Sequence, residues 1–357
     1  MSFAFHGILL YMNKTLPKRS KTSNLCIASF LILCTLVCFL SECGSAALDH
    51  IISKDKHIRE ATYVASSYNN GEEAPEPRFN PYPDLSVPTQ ITKIGETYFI
   101  VDCYHNQVIY NDNLEDPLTE WKIMTDEMIM GHTVAGDGTV YLVDDTENER
   151  IMVFEKKDDA FIFTKEFKNV TGRPHYIVYD ERSENFYAWC SVSGELYVIK
   201  RDEDNNVYIS DIRKIPELDG VYVRSFTITG DEILFVSGNS SIIKAKLDTL
   251  EVIDRYPVPD ELAGMIQITP IDSEYYITIS TNASWDQSYA TIIRCDSLDD
   301  LEYKNYEDIY KNFIGGGTPY YITSFDGSYY LTEHRLPEHS IWRFNVDNGR
   351  ITAETIY

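Results

Sequence analysis

From about residue 88 onward, apolar and polar positions alternate in runs of four to seven residues, broken by clusters of Gly, Asp, Asn and Ser. Alternation at period two marks half-buried strands, and no stretch sustains the 3.6-residue period of a long helix. The strongest runs are TYFIVDC, TVYLVDD, NFYAWCS, EILFVSG, EYYITIS and SYYLTEH, beginning at residues 97, 139, 185, 232, 274 and 328. Their starts are therefore 42, 46, 47, 42 and 54 residues apart. A spacing of roughly 40 to 50 residues with four short strands per unit predicts the blades of a β-propeller. A β-sandwich also supplies many strands, but it does not repeat at this period.

The expected fold is all-β: a six-bladed propeller of four-stranded antiparallel blades, near 88–130, 131–171, 172–219, 220–262, 263–315 and 316–357. The second unit parses as HTVAG, TVYLVDD, ERIMVFEK and AFIFTKEF, and the sixth as PYYITSF, SYYLTEH, SIWRFNV and ITAETIY. Asp326-Gly327 and Asn348-Gly349 are two-residue hairpin signals, because Gly accepts the positive φ of such turns. The longest interval, in blade five, holds TNASWDQSYA and SLDDLEYKNYEDIYKNF, and an insertion accounts for it without a seventh blade.

Within this repeat, VDDTENERIMVF (residues 143 to 154) resembles the core of an NHL repeat, with Asp144, Asn148, Arg150 and Ile151 falling on its pattern. Blade one keeps the spacing in VDCYHNQVIY with Asp102, Asn106 and Ile109, although Gln107 and Val108 depart from it. Blades three to five depart further, and blade six offers Glu333 with Ile341 one residue late. The resemblance implies a propeller and, through NHL-like lyases and six-bladed lactonases, a metal-dependent enzyme with its site in the central channel.

The chain before residue 88 is different in kind. Lys14, Lys18, Arg19 and Lys21 precede the apolar run LCIASFLILCTLVCFL at residues 25 to 40. Basic-then-apolar order is that of a secretory signal or membrane anchor, and Ser45-Ala46-Ala47 offers a small-residue cleavage pattern. Residues 1–47 are thus expected to be a signal peptide or N-terminal anchor, and the propeller to be extracytoplasmic, secreted or tethered. Cys43 sits in a lipoprotein-like box, but Glu42 stands where a small residue belongs; Met12 offers an alternative start. Residues 48–87 turn polar and then Pro-rich, the composition of a spacer, whose front half has the pattern of a short helix.

Charge narrows the partners. A formal net charge of -25 lacks the basic footprint that phosphate backbones require, so nucleic acid is excluded and a membrane is met only through the N-terminal segment. The 26 Tyr favour strands over disorder. Beyond residue 43 only Cys103, Cys190 and Cys295 remain, a spacing that makes neither a disulfide framework nor a metal knuckle; buried thiols in a monomer are expected.

Blade topology sorts residues by face. The segments leading into the inner strands share one face with the loops between second and third strands. That face receives His132, His175, Arg224, Gln267 and Tyr320 from the first set, and Asp102, His105, Asp144, Asp145, Trp285, Asp286, Glu333, His334 and His339 from the second. Five of the eight histidines are among them. Imidazoles on a common axis, completed by a carboxylate, would suit a divalent metal, with His132, His175 and Glu333 as the ligand set. No HExxH, GxSxG or calcium loop is present, and GGGT at 315 to 318 has no following Lys. Trp285 in a polar loop suits stacking on a sugar or aromatic ligand. The leading expectation is a binding module for a small-molecule, glycan or protein ligand at the channel mouth, through His132, His175, Arg224, Gln267, Tyr320, Trp285 and Asp144. The alternatives are the metal-dependent lactonase- or lyase-like enzyme and a protein-interaction platform.

Overall fold

The alternation resolves into six antiparallel sheets, in the computed structural model, which describes residues 59–64, 76–336 and 338–357. Each sheet runs in sequence order from an inner to an outer strand, so the fold is a six-bladed propeller. In blade two the strands are Val134–Gly136, Val140–Asp145, Arg150–Lys157 and Ala160–Phe167; in blade six they are Thr318–Phe325, Ser328–His334, Ile341–Asp347 and Arg350–Thr355. Blade five has the shortest outer strand, Glu307–Asp308, and its insertion folds into the single turns Leu298–Leu301 and Tyr310–Asn312. No α-helix occurs among the described residues, and none is long and apolar enough to cross a membrane. The apolar run at 25 to 40 and the front half of the spacer lie outside the described residues.

Blades pack face to face because their inner and middle strands present apolar side chains to the neighbouring blades. Trp189, Leu196 and Val198 of blade three meet Phe226, Phe235 and Ile243 of blade four in one buried cluster. Nearer the axis, polar side chains stitch the blades together. Thr89 donates to the His132 carbonyl (2.8 Å), Ser225 to that of Ile266 (2.5 Å), Thr278 to that of Tyr320 (2.6 Å) and Thr332 to that of Thr89 (2.9 Å). Each bond spans one blade boundary, so the repeat period becomes a belt of satisfied inner-strand carbonyls.

Two features differ from the uniform four-stranded expectation. Arg59–Glu60 pairs with the outer strand of blade three and Thr62–Tyr63 with that of blade two, making both sheets five-stranded. Part of the segment that composition marks as spacer is therefore an edge strap, because outer strands leave unpaired N–H and C=O groups that a passing extended segment satisfies. The ring closes without strand exchange: blades one and six each come from one contiguous stretch. Tyr357 bridges them, its hydroxyl lying 2.5 Å from the Leu114 carbonyl and 2.7 Å from that of Asp116, while Trp121 Nε1 donates to it at 3.0 Å.

Candidate functional site at the channel mouth

The segment GHT leads into the inner strand of blade two and RPHY into that of blade three, and each presents an imidazole to the axis. The rings of His132 and His175 stack, centroids 3.8 Å apart and planes 22° apart. His132 is 7% exposed and His175 fully buried. The position of His132 is set by Asp144, whose carboxylate accepts from the His132 N–H (2.9 Å), the Thr133 N–H (2.7 Å) and the Thr133 hydroxyl (2.6 Å). Thr146 donates to Asp144 (3.0 Å) and lies 3.2 Å from His132 Nδ1. His175 Nδ1 lies 3.0 Å from the Arg224 carbonyl, and its Nε2 3.2 Å from the Tyr222 hydroxyl.

Blades four to six complete the mouth. Arg224 and Tyr222 both flank Val223 at the start of the Val223–Thr229 strand, so they share a side, and the guanidinium lies 4.8 Å from the Tyr222 ring centroid. Trp285 approaches from blade five, its ring 5.9 Å from the guanidinium and 6.4 Å from Tyr222. Tyr320 stands between His132 (6.2 Å) and His334 (5.8 Å). Beneath them Tyr321 seals the channel against Tyr176, ring to ring at 4.9 Å.

Burial sets the protonation of this cluster. It holds His175 well below the ordinary histidine range, aided by His132 and Arg224. It likewise pushes His334 down to about 4, with Arg335, Arg224 and His132 adding repulsion. Tyr320 and Tyr321 are raised by burial and stay protonated donors.

Of the residues expected at the mouth, the structure brings together His132, His175, Arg224, Tyr320, Trp285 and His334. The others are diverted. Gln267 lies deeper, where its side-chain oxygen accepts from the Ile322 N–H (2.6 Å) and its amide donates to Tyr176 (3.2 Å); it lines a cavity of about 610 Å³ that opens on the opposite face. Asp144 is fully buried and spent on its own blade's backbone, so it is a positioning group. His105 binds Asp102 (2.6 Å) and stacks on Tyr82 (3.7 Å); His339 stacks on Trp342 (5.6 Å).

The expected metal set does not assemble. The Glu333 carboxylate is buried between Tyr310 and Trp342 Nε1, which donates at 2.8 Å, and Gly317 packs against it so closely that a Cβ would collide. The lone pairs of stacked imidazoles lie in separate, nearly parallel planes, a poor arrangement for one shared ion, and both nitrogens of His175 already have protein partners. No group of three or more His, Cys, Asp or Glu placed to hold a metal occurs among the described residues.

Sequence reasoning missed Tyr222, Tyr321 and Thr146. The first left a signal, since YVR places Tyr222 and Arg224 two residues apart on one side of a strand. Tyr321 and Thr146 gave none, because Tyr321 meets Tyr176 and His175 of another blade and Thr146 reaches His132 from fourteen residues away.

Fold and site together define a six-bladed propeller whose mouth is lined by imidazoles, tyrosines and one arginine. No protein-family model matches the chain, and no curated protein matches it. Among solved structures, the fold is similar to a catalytically inactive virginiamycin B lyase from Staphylococcus aureus with quinupristin, at 17% identity and TM-score 0.54 over 79% of this chain and 88% of that one. It is similar to a streptogramin B lyase at 16% and 0.55, over 78% and 86%. A putative 6-phosphogluconolactonase from Bacteroides fragilis follows at 12% and 0.53, over 83% and 92%. These likenesses establish the fold alone.

Proposed function

We propose that this protein is an extracytoplasmic propeller that binds a small ligand at the channel mouth. One observation carries the reading: Arg224, Tyr222, Trp285, Tyr320 and His334, drawn from three blades, converge on a single partly exposed spot above the His132–His175 stack. Aromatic faces give contact area at low entropic cost, and the guanidinium and imidazole give direction. The N-terminal basic and apolar segment supports placement outside the cytoplasm. A thermal-shift screen of metabolites and oligosaccharides tests this. A ligand should raise the melting temperature of the wild type and lose that effect in Tyr222→Ala and Trp285→Ala. A screen in which no stabilising ligand responds to either substitution would sink the reading.

An enzymatic role of lyase or lactonase type, which the names of the similar structures raise, has one favourable observation. His334 is partly exposed and its imidazole has no hydrogen-bond partner among the described residues. Its conjugate acid near 4 makes it a weak proton acceptor at neutral pH, which argues for binding over proton abstraction. Turnover of lactone substrates by the wild type, abolished in His334→Gln, would reverse that preference.

A further inference from the structure

The arginines of this acidic chain are almost all spoken for. Arg78, Arg150, Arg173, Arg182, Arg201, Arg213, Arg255, Arg294 and Arg343 each meet a carboxylate, and Arg335 donates to the Gly317 carbonyl at 2.6 Å. Arg224 is an exception inside the molecule. Its guanidinium meets neither a carboxylate nor a carbonyl among the described residues, only the faces of Tyr222 and Trp285. In a chain of net charge -25 such a group is conspicuous, because an acid partner would be easy to supply.

Four acids of this face are turned away from the rings around Arg224. Asp102, Asp144, Asp145 and Glu333 are fully buried and bonded to loops or to Tyr310 and Trp342. Glu147 is paired with Arg173, and Asp286 caps Ser288. The mouth therefore presents one uncommitted cation among uncharged rings.

Beside it, Trp285 is held outward. It is 63% exposed with φ at 63°, a left-handed conformation that a bulky side chain adopts only under constraint. The constraint is visible: the Asn282 side chain accepts from the N–H groups of Ser284 and Asp286 (both 2.9 Å), and Arg335 reaches across from blade six to Gln287 (3.1 Å). Strain spent on exposing a tryptophan is explained by a ring that stacks on it.

We propose that the ligand of this mouth is an aromatic carboxylate, its charge forked on the Arg224 guanidinium and its ring lying against Trp285. The inference rests on the channel-mouth reading above and names its ligand class. A single free guanidinium matches a monoanion, since its parallel N–H groups fit the two carboxylate oxygens. A phosphate dianion would call for a second free cation, and Arg173 and Arg335 are engaged elsewhere.

The test compares 2-naphthoate, 2-naphthamide and 2-naphthyl phosphate by saturation-transfer NMR and calorimetry on the full chain. The acid is expected to bind the wild type about tenfold or more tightly than the amide, the phosphate no more tightly than the acid. Arg224→Gln should bring the acid down to the level of the amide and leave the amide unchanged, with Arg224→Lys in between. Trp285→Ala should weaken both. Melting temperatures matching the wild type establish that the variants fold. Equal binding of acid and amide, or Arg224→Gln leaving the acid unaffected, overturns the inference; if Trp285→Ala still weakens both, the channel-mouth reading survives. Tighter binding of the phosphate overturns the choice of carboxylate. Binding by none of the three also overturns it, and the mouth is then judged by the wider screen alone.

Discussion

His132 and His175 enter from successive blades and lie face to face, 3.8 Å between centroids, with His175 buried completely. A positive charge on His175 would be desolvated there and repelled by its neighbours, Arg224 among them, which is why His175 sits well below the usual histidine range.

Stability should therefore depend on pH with two opposing contributions. For His334 the folded pKa is depressed, so between about 4 and 6.5 the unfolded chain binds more protons; its contribution is present above 6.5 and lost as pH falls toward 4, and the depressed His175 contributes with the same sign. Glu333 has the opposite sign. Burial pushes it up to about 7, so its contribution is full below 4.5 and lost as pH rises through 7. Urea midpoints between pH 4 and 8 should show His334→Gln flattening the acid limb and Glu333→Gln flattening the neutral one. Parallel curves for wild type and both variants would contradict this assignment.

Asp144→Ala is expected to destabilise by about 3 kcal/mol, because it strands the buried His132 and Thr133 N–H groups and the Thr133 hydroxyl, which now share one carboxylate. Asp144→Asn should lose about half as much, since one oxygen still accepts. Chemical denaturation measures both, and any stabilising ligand should bind more weakly to each as His132 loses its anchor.

Closure of the ring predicts a large effect at one hydroxyl. Tyr357→Phe removes the group shared by Leu114, Asp116 and Trp121 and should cost about 1 to 3 kcal/mol, with the mouth unaffected. A melting temperature equal to the wild type would show that blade contacts alone close the ring.

The strap over blades two and three predicts an edge effect. Removing residues 1 to 64 exposes the outer strands Ala160–Phe167 and Val207–Lys214, whose partners include the Ala61 and Val64 N–H groups. The truncated propeller should fold with a modestly lower melting temperature and a greater tendency to associate through those edges, measured by light scattering. Unchanged monodispersity would argue that outer-strand side chains already protect them.

The cysteines illustrate how far composition reaches. Cys103, Cys190 and Cys295 are buried free thiols, as their apolar neighbours and wide spacing led one to expect. Burial raises Cys103 and Cys295 to about 12, so alkylation should be slow in the native protein and complete on unfolding.

Strand existence, strand order, blade number and the face on which each loop opens were all legible in the chain, because alternation and Asp-Gly or Asn-Gly turns are local properties that repeat six times. Which side chains of that face meet was not. Asp144, Glu333, His105 and Gln267 occupy the expected loops and strands, yet their partners decide their roles, and Glu333 finds Tyr310 while Arg224 finds Trp285 sixty-one residues away. A period determines where a loop opens; only the packing of one blade against the next determines whether its carboxylate turns inward to a backbone or its arginine meets aromatic faces and no acid.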